Sequence, residues 1–150
     1  HRSLARSLSA YFADSRLLHI VTAPLIYSCI LPALLMDLVV TVYQAVCFRV
    51  YGIPRVERGD YIVIDRNQLQ YLNAIEKMNC VYCGYFNGFI AYVGEIAART
   101  EQYWCPIKHA RKVAAMHSRY HKFIEYGDSE DYQNRLTALR REFDDLRSNG

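Results

Sequence analysis

Three cysteines and one histidine in the second half of the chain are the residues best suited to chemistry. Cys80 and Cys83 form a C-x2-C pair, and Cys105 and His109 follow as C-x3-H. Three thiolates and one imidazole suit a tetrahedral site for a soft metal. We therefore predict a metal site at these four residues, with zinc as the assignment and an iron–sulfur cluster as the alternative. Two further interpretations stay open, namely no metal at all, or a disulfide involving Cys105 in an oxidising compartment.

Carboxylates and histidines near this set are candidates for supporting roles. Glu76 lies one helical turn before the C-x2-C pair, and Glu101 lies further along the chain. Each is a possible ligand, a hydrogen-bond partner for His109, or a general base, and the alternative is an ordinary ion pair with a nearby Lys or Arg. His117 and His121 are four residues apart and would share one face of a helix. They would form a second metal or proton site, or lie on a basic surface. No residue is assigned a catalytic role.

A long apolar run in the first third of the chain precedes the part that carries these candidate residues, and its location decides where they lie. The run from Leu17 to Phe48 is 32 residues long and contains no Lys, Arg or Glu. About 20 helical residues cross a bilayer, so we predict a membrane segment at 17–48. Pro24 and Pro32 leave two forms open, a single kinked span or a re-entrant hairpin of two short helices. The rival interpretation is a buried helical hairpin of a soluble protein.

Asp37 is the unusual residue of this run. A carboxylate in the hydrocarbon region costs several kcal/mol and is usually paired or functional. We therefore single out Asp37 as an intramembrane polar site. The alternatives are a position near a helix end, or a protonated carboxyl that bonds to a partner chain.

The whole chain predicts a mostly α fold. A transmembrane or re-entrant helical segment is followed by a small helical head with a short β-hairpin. We divide the chain into five ranges: a basic N-terminal flank (1–16), the membrane segment (17–48), a β-hairpin linker (49–66), a helical metal-binding head (67–126) and a charged C-terminal helix (127–150).

The head is predicted to contain three helices. Apolar residues at three- and four-residue steps predict helices over 68–83 and 88–101, with a bend at 84–88 where glycines interrupt the pattern. Asn67 or Asp65 would cap the first of them. Pro106 suits the first turn of a third helix, which would run to about residue 126. In the hairpin linker, 49–53 would pair with 61–64.

Composition excludes several classes of protein. The chain has 150 residues, a net charge of +3 and 52% hydrophobic residues, which excludes a disordered polyelectrolyte. The charge is spread along the chain, which argues against a nucleic-acid partner. No Walker A, G-x-G-x-x-G or G-x-S-x-G motif occurs, so neither nucleotide binding nor serine hydrolase chemistry is supported.

Two resemblances add to these observations. The stretch from Glu76 to Ala110 resembles a segment of small uncharacterised bacterial membrane-associated proteins, over roughly residues 11–126 of this chain. This resemblance implies attachment to a bacterial membrane, and it implies no activity. We expect the inner membrane with the head in the cytoplasm, because arginines flank the apolar run on both sides and favour a hairpin with both ends there. The spacing from Cys105 to His109 is also similar to the end of the CDGSH iron–sulfur motif, with Pro-Ile in place of Asp-Gly and C-x2-C in place of C-x-C.

We therefore expect a membrane-anchored, non-enzymatic accessory subunit of a larger membrane complex, carrying a structural Cys3His site. Its partners would be the lipid bilayer and other membrane protein subunits, with no nucleic acid. The first alternative is an iron–sulfur or metal-handling redox protein at the membrane. The second is a metal-dependent membrane enzyme.

Overall fold

The computed structural model describes the backbone of residues 17–147 and the side chains of residues 20–146. The basic flank predicted at 1–16 lies outside the described residues. The described part is mostly helical, as predicted. It divides into two compact units. The first unit comprises residues 17–38 with 57–91, and the second comprises 39–56 with 92–147.

Six α-helices account for most of the described chain. Their bounds are α1 Leu17–Ser28, α2 Ile30–Tyr43, α3 Arg49–Tyr51, α4 Ala74–Trp104, α5 Ser129–Leu139 and α6 Asp144–Arg147. A π-helical turn, Gln44–Phe48, joins α2 to α3. Short 3-10 turns occupy Arg58–Asp60, Arg66–Gln68 and Ser118–Lys122.

One helix is long and apolar enough to cross a membrane. This apolar helix, Ile20–Tyr51, has 32 residues, and its most apolar 18-residue window has a mean hydropathy of 2.2 with only 11% of the window buried. Pro24 lies inside α1. Pro32 lies in the first turn of α2, where a missing N–H is tolerated. The segment is therefore a single kinked helix, and the re-entrant hairpin of two short helices is not observed.

The predicted β-hairpin is absent from residues 17–147. Residues 49–51 are helical, and Gly52 ends the helix in the left-handed conformation with φ 68°. Ile53 N–H then donates to the Phe48 carbonyl at 2.9 Å. This is a helix C-terminus, which leaves the 49–53 backbone unable to pair as a strand.

The predicted bend at 84–88 is also absent, because α4 continues through it. In the first unit, a Cβ at Gly88 would lie 2.5 Å from the Tyr61 carbonyl oxygen and 2.9 Å from Ile62 Cα. A Cβ at Gly84 would lie 3.2 Å from the Val63 oxygen. These glycines therefore let an irregular segment approach the helix closely, and they do not interrupt the helix itself.

The ends of α4 explain two further differences. The helix begins at a reciprocal cap six residues after the predicted one, because Asn73 Oδ1 accepts from Glu76 N at 2.9 Å and Glu76 Oε2 accepts from Asn73 N at 2.9 Å. It ends at Trp104, since Pro106 disfavours the helical conformation for Cys105, the residue before it.

The helix predicted over 106–126 does not form. Lys108 N–H donates to the Ile124 carbonyl at 2.7 Å, and Ile124 N–H donates to the Pro106 carbonyl at 2.8 Å. Ile107 and Ile124 form an isolated parallel bridge. These backbone groups bond to a segment sixteen or more residues away, so they are not available for a helical ladder.

The charged C-terminal helix is divided into α5 and α6. Asp128 caps α5 by accepting from Asp131 N at 2.8 Å. The Gln102 side-chain amide donates to the Leu139 and Glu142 carbonyls, each at 2.9 Å, where α5 ends. The buried hydrophobic residues of the second unit are Phe48, Ile53, Val56, Tyr92, Ile96, Ala98, Phe123, Ile124, Leu139 and Phe143.

Candidate functional site

The four predicted metal ligands are not gathered at one point. Cys80 and Cys83 lie in the first third of α4, and Cys105 follows the last residue of that 31-residue helix. Among residues 17–147, no group of three or more His, Cys, Asp or Glu side chains is placed to hold a metal ion. The metal site predicted at these four residues, with zinc or an iron–sulfur cluster, therefore has no support among the described residues and stays a prediction.

The cysteines and His109 have ordinary surroundings. All five cysteines are free, and Cys83 and Cys105 are exposed. His109 stacks on Tyr120 with ring centroids 6.1 Å apart, and its backbone N–H donates to the Tyr120 hydroxyl at 2.6 Å. The role of His109 is therefore a contact that positions an irregular loop.

The candidate acids take structural partners. Glu76 forms the N-terminal cap of α4, through its reciprocal bonds with Asn73. Glu101 is hydrogen-bonded to His117, with Oε2 and Nε2 2.9 Å apart, and not to His109 as one hypothesis supposed. His117 precedes the 3-10 turn Ser118–Lys122 and His121 lies within it, so the two residues do not share a face of an α-helix as predicted. His121 Nδ1 lies 2.5 Å from the Ser118 carbonyl oxygen.

Asp37 is paired within the first unit. Its carboxylate accepts from both terminal nitrogens of Arg58, at 2.5 and 2.6 Å, and from the Tyr85 hydroxyl at 2.8 Å. The Asp37 side chain is 11% exposed and that of Arg58 is 46% exposed. A bidentate guanidinium neutralises the carboxylate, so a charge on the apolar helix is accommodated without a partner chain.

The hydrogen bonds to Asp37 favour the protonated forms of Arg58 and Tyr85. The hydrogen bonds from Arg58 to Asp37 raise the pKa of the guanidinium above its ordinary value. Burial raises the pKa of Tyr85, and its hydrogen bond to Asp37 adds to that effect. Arg58 therefore stays charged and Tyr85 stays a hydrogen-bond donor across the physiological range.

Arg119 is the centre of a buried polar network in the second unit. Its side chain is 3% exposed, and it donates to Gln102 Oε1 at 2.8 Å and to Asp145 Oδ2 at 2.9 Å. A longer bond of 3.4 Å reaches Glu95. Its guanidinium carbon lies 5.3 Å from the centroid of the Phe143 ring. The network joins α4, the 3-10 turn and α6.

Glu95 extends this network to the segment after the apolar helix. Glu95 accepts from Arg99 Nε at 2.7 Å. Arg99 in turn donates to the Pro54 and Arg55 carbonyls at 2.8 and 2.9 Å. These buried cations bond to carboxylates and carbonyls of their own unit, which is typical of a structural network.

Gln44 has a comparable role at the π-helical turn. It is 1% exposed. Its Oε1 accepts from Val56 N at 2.7 Å, and its Nε2 donates to the Val56 carbonyl at 3.3 Å and to the Tyr92 hydroxyl at 3.0 Å. The extra residue of the π-turn thus directs an amide inward, where it satisfies both backbone groups of an irregular segment.

An apolar groove of about 390 Å³ opens on the first unit. It is lined by Tyr27, Ile30, Leu34, Ile64, Met78, Val81, Tyr82 and Tyr85. Three of these residues belong to the apolar helix, which leaves apolar side chains facing outward there. The groove carries no cluster of polar groups that could act on a substrate.

The residues that matter structurally had only weak signals in the sequence. The i,i+4 spacing of Glu95 and Arg99 is present in the sequence, but nothing in the sequence marks Arg119 as buried.

None of the protein-family models, curated proteins or solved structures compared with the chain matches it.

Proposed function

We propose that this chain is a membrane-anchored, non-enzymatic accessory subunit of a larger membrane protein complex. One observation carries the proposal: the apolar helix is long enough to span a bilayer, and little of its most apolar window is buried inside the chain. Leu25, Leu31, Leu35 and Leu38 are 73, 70, 65 and 64% exposed. A surface of this kind needs lipid or another membrane protein to cover it.

The pairing of Asp37 supports the same proposal. In water, a half-exposed ion pair contributes little to stability. In hydrocarbon, an unpaired carboxylate is costly, and a bidentate arginine is the partner best able to neutralise it. The contact with Arg58 therefore has a clear purpose if this part of the helix lies in lipid.

A structural role also agrees with the buried polar residues. Among the described residues, Arg99, Gln102 and Arg119 direct their donors at groups of the same chain. The proposal contains no metal, because the described residues give no support for a metal site. The proposed location is a bacterial inner membrane, with the head in the cytoplasm.

Alkaline carbonate extraction of membranes tests the anchor. The native chain should stay in the membrane pellet. The double variant Leu35→Arg/Leu38→Arg should move to the soluble fraction, because each arginine near the bilayer centre costs roughly 3 kcal/mol. Tyr132→Arg, at an exposed position of α5, is the matched control and should stay in the pellet. Release of the native chain by carbonate would contradict the anchor.

Purification in a mild detergent tests the accessory role. The tagged native chain should migrate at a mass well above that of one chain and bring down the same membrane subunits in fixed stoichiometry. The Leu35→Arg/Leu38→Arg variant should lose them. A native chain that purifies alone from membranes, at the mass of a monomer in detergent, would leave an anchor and overturn the accessory role.

A further inference from the structure

Three aromatic rings of the second unit meet at the C-terminal end of the apolar helix. Tyr51, the last residue of that helix, stacks on Tyr103 with centroids 5.1 Å apart and meets Trp104 edge-on at 5.3 Å. Tyr103 and Trp104 lie 5.4 Å apart, and Trp104 is 53% exposed. Tyrosine and tryptophan prefer the headgroup level of a bilayer. The cluster therefore lies where a membrane span would leave the hydrocarbon.

The two segments that carry these rings contain no acidic residue. Residues 39–56 and 102–124 include no Asp or Glu, and together they hold seven basic residues, Arg49, Arg55, Lys108, Arg111, Lys112, Arg119 and Lys122. These two segments are thus strongly basic along the sequence, although the whole chain carries only +3.

Four of these seven cations have no ion pair within residues 20–146. Lys108 pairs with Glu125, Arg119 with Asp145, and Lys122 with Glu142. The remaining four, Arg49, Arg55, Arg111 and Lys112, are all exposed. Exposed cations without an ion pair among the described residues, in the segments that carry an aromatic cluster, are complementary to negative charge outside the chain.

The loop between the bridge at Ile107 and the 3-10 turn has the same character. Residues 109–116 are exposed throughout, and they combine Arg111 and Lys112 with Val113 and Met116, which are 40 and 41% exposed. Basic and apolar side chains interleaved on a surface are typical of segments that lie in the headgroup region. Such a surface gains both electrostatic attraction and apolar burial at an anionic bilayer.

We propose that these residues form an anionic-lipid site, made of the aromatic cluster Tyr51, Tyr103 and Trp104 and the four unpaired cations. It would bind phospholipids with net negative headgroups. Arg111 and Lys112 provide the principal contacts, and Trp104 lies at the upper end of the acyl chains. This inference rests on the proposed membrane anchor and adds the lipid class that the anchor selects.

Trp104 is the only tryptophan in the sequence, so its fluorescence reports this site alone. The full chain is reconstituted in mixed vesicles of phosphatidylcholine and phosphatidylglycerol, with bromine on one lipid or the other at equal mole fraction. Brominated phosphatidylglycerol should quench Trp104 more than brominated phosphatidylcholine, corresponding to about fivefold local enrichment of the anionic lipid. High salt should reduce the difference.

The double variant Arg111→Gln/Lys112→Gln should quench equally with both lipids, and Arg140→Gln/Arg141→Gln, which removes the same charge outside the site, should keep the native preference. Equal quenching of the native chain by both lipids would overturn the site. Flotation of the same vesicles separates the two proposals. A chain that floats but shows no preference refutes only the lipid site, whereas a chain that does not float refutes the anchor and the site together.

Discussion

The two units manage buried charge in different ways. The first unit has one carboxylate on an apolar helix, Asp37, and neutralises it with a single arginine that is itself 46% exposed. The second unit buries Arg119 at 3% exposure and divides its donors among several acceptors. An exposed apolar helix needs its charge cancelled locally, whereas a buried network joins elements that lie far apart in sequence. The first arrangement agrees with the proposed membrane anchor, and the second is typical of a unit stabilised by its own interior.

Removal of the Arg119 side chain should have the largest effect on stability. Arg119→Met leaves Gln102 Oε1 without its donor and Asp145 without its closest cation, so the free energy of unfolding should fall by about 3 kcal/mol. Chemical unfolding in detergent, followed by Trp104 fluorescence, measures this. Arg141→Met, at an exposed position, is the control and should change stability by less than about 0.5 kcal/mol. Equal effects from the two variants would contradict a structural network.

A methyl group at Gly88 should have the next largest effect, and it acts on the first unit. Gly88→Ala places a Cβ within 2.5 Å of the Tyr61 oxygen, so the 61–63 segment must move at a cost of about 2 kcal/mol. Gly94→Ala lies in the same helix with nothing within 4 Å, and it should stabilise by up to about 1 kcal/mol. Thermal unfolding by circular dichroism compares the two. The same sign for both would show that the segment does not lie against the helix.

In detergent, the coupling energy between Asp37 and Arg58 should be smaller than the decrease in unfolding free energy that Arg119→Met causes. A double-mutant cycle with Asp37→Asn and Arg58→Gln should give a coupling energy of about 1 kcal/mol. The cycle should be repeated in bilayers, where the coupling should rise because lipid leaves an unpaired carboxylate no water. A coupling energy near zero in both environments would contradict the proposal that Arg58 neutralises Asp37 in the bilayer.

The smallest effect should be the pH dependence due to Asp145. Burial alone would raise the pKa of this carboxyl, but Arg119 and Lys122 outweigh burial and hold its pKa below the ordinary value. Its contribution to stability is therefore complete above the unfolded pKa of about 3.9 and is lost as pH falls through the lower folded pKa. Asp145 is 45% exposed, so screening limits the effect to less than about 1 kcal/mol. Asp145→Asn should flatten the acid limb of the stability curve, and an unchanged limb would contradict the pairing.

Sequence reasoning succeeded where the signal is local. The apolar run was clear from residue types alone. It failed where the role of a residue depends on a contact with a residue far away in the sequence. Gly84 and Gly88 break a helical pattern equally well whether a helix bends or another segment lies against it. The ion-pair partners of Arg58 and Arg119 could not be predicted, since nothing in the neighbouring sequence indicates a contact with Asp37 or with Asp145.

Thiol accessibility at Leu35 tests the membrane anchor most directly, because this side chain is 65% exposed in the chain itself. The five native cysteines are replaced by serine, and Leu35→Cys is compared with Glu130→Cys on the surface of α5. Intact membranes are treated with a membrane-permeant maleimide, and denaturation in SDS gives the total reactive thiol. If the apolar helix lies in lipid, Leu35→Cys should react only after denaturation, whereas Glu130→Cys should react in intact membranes. Equal reaction of both thiols before denaturation would contradict the anchor.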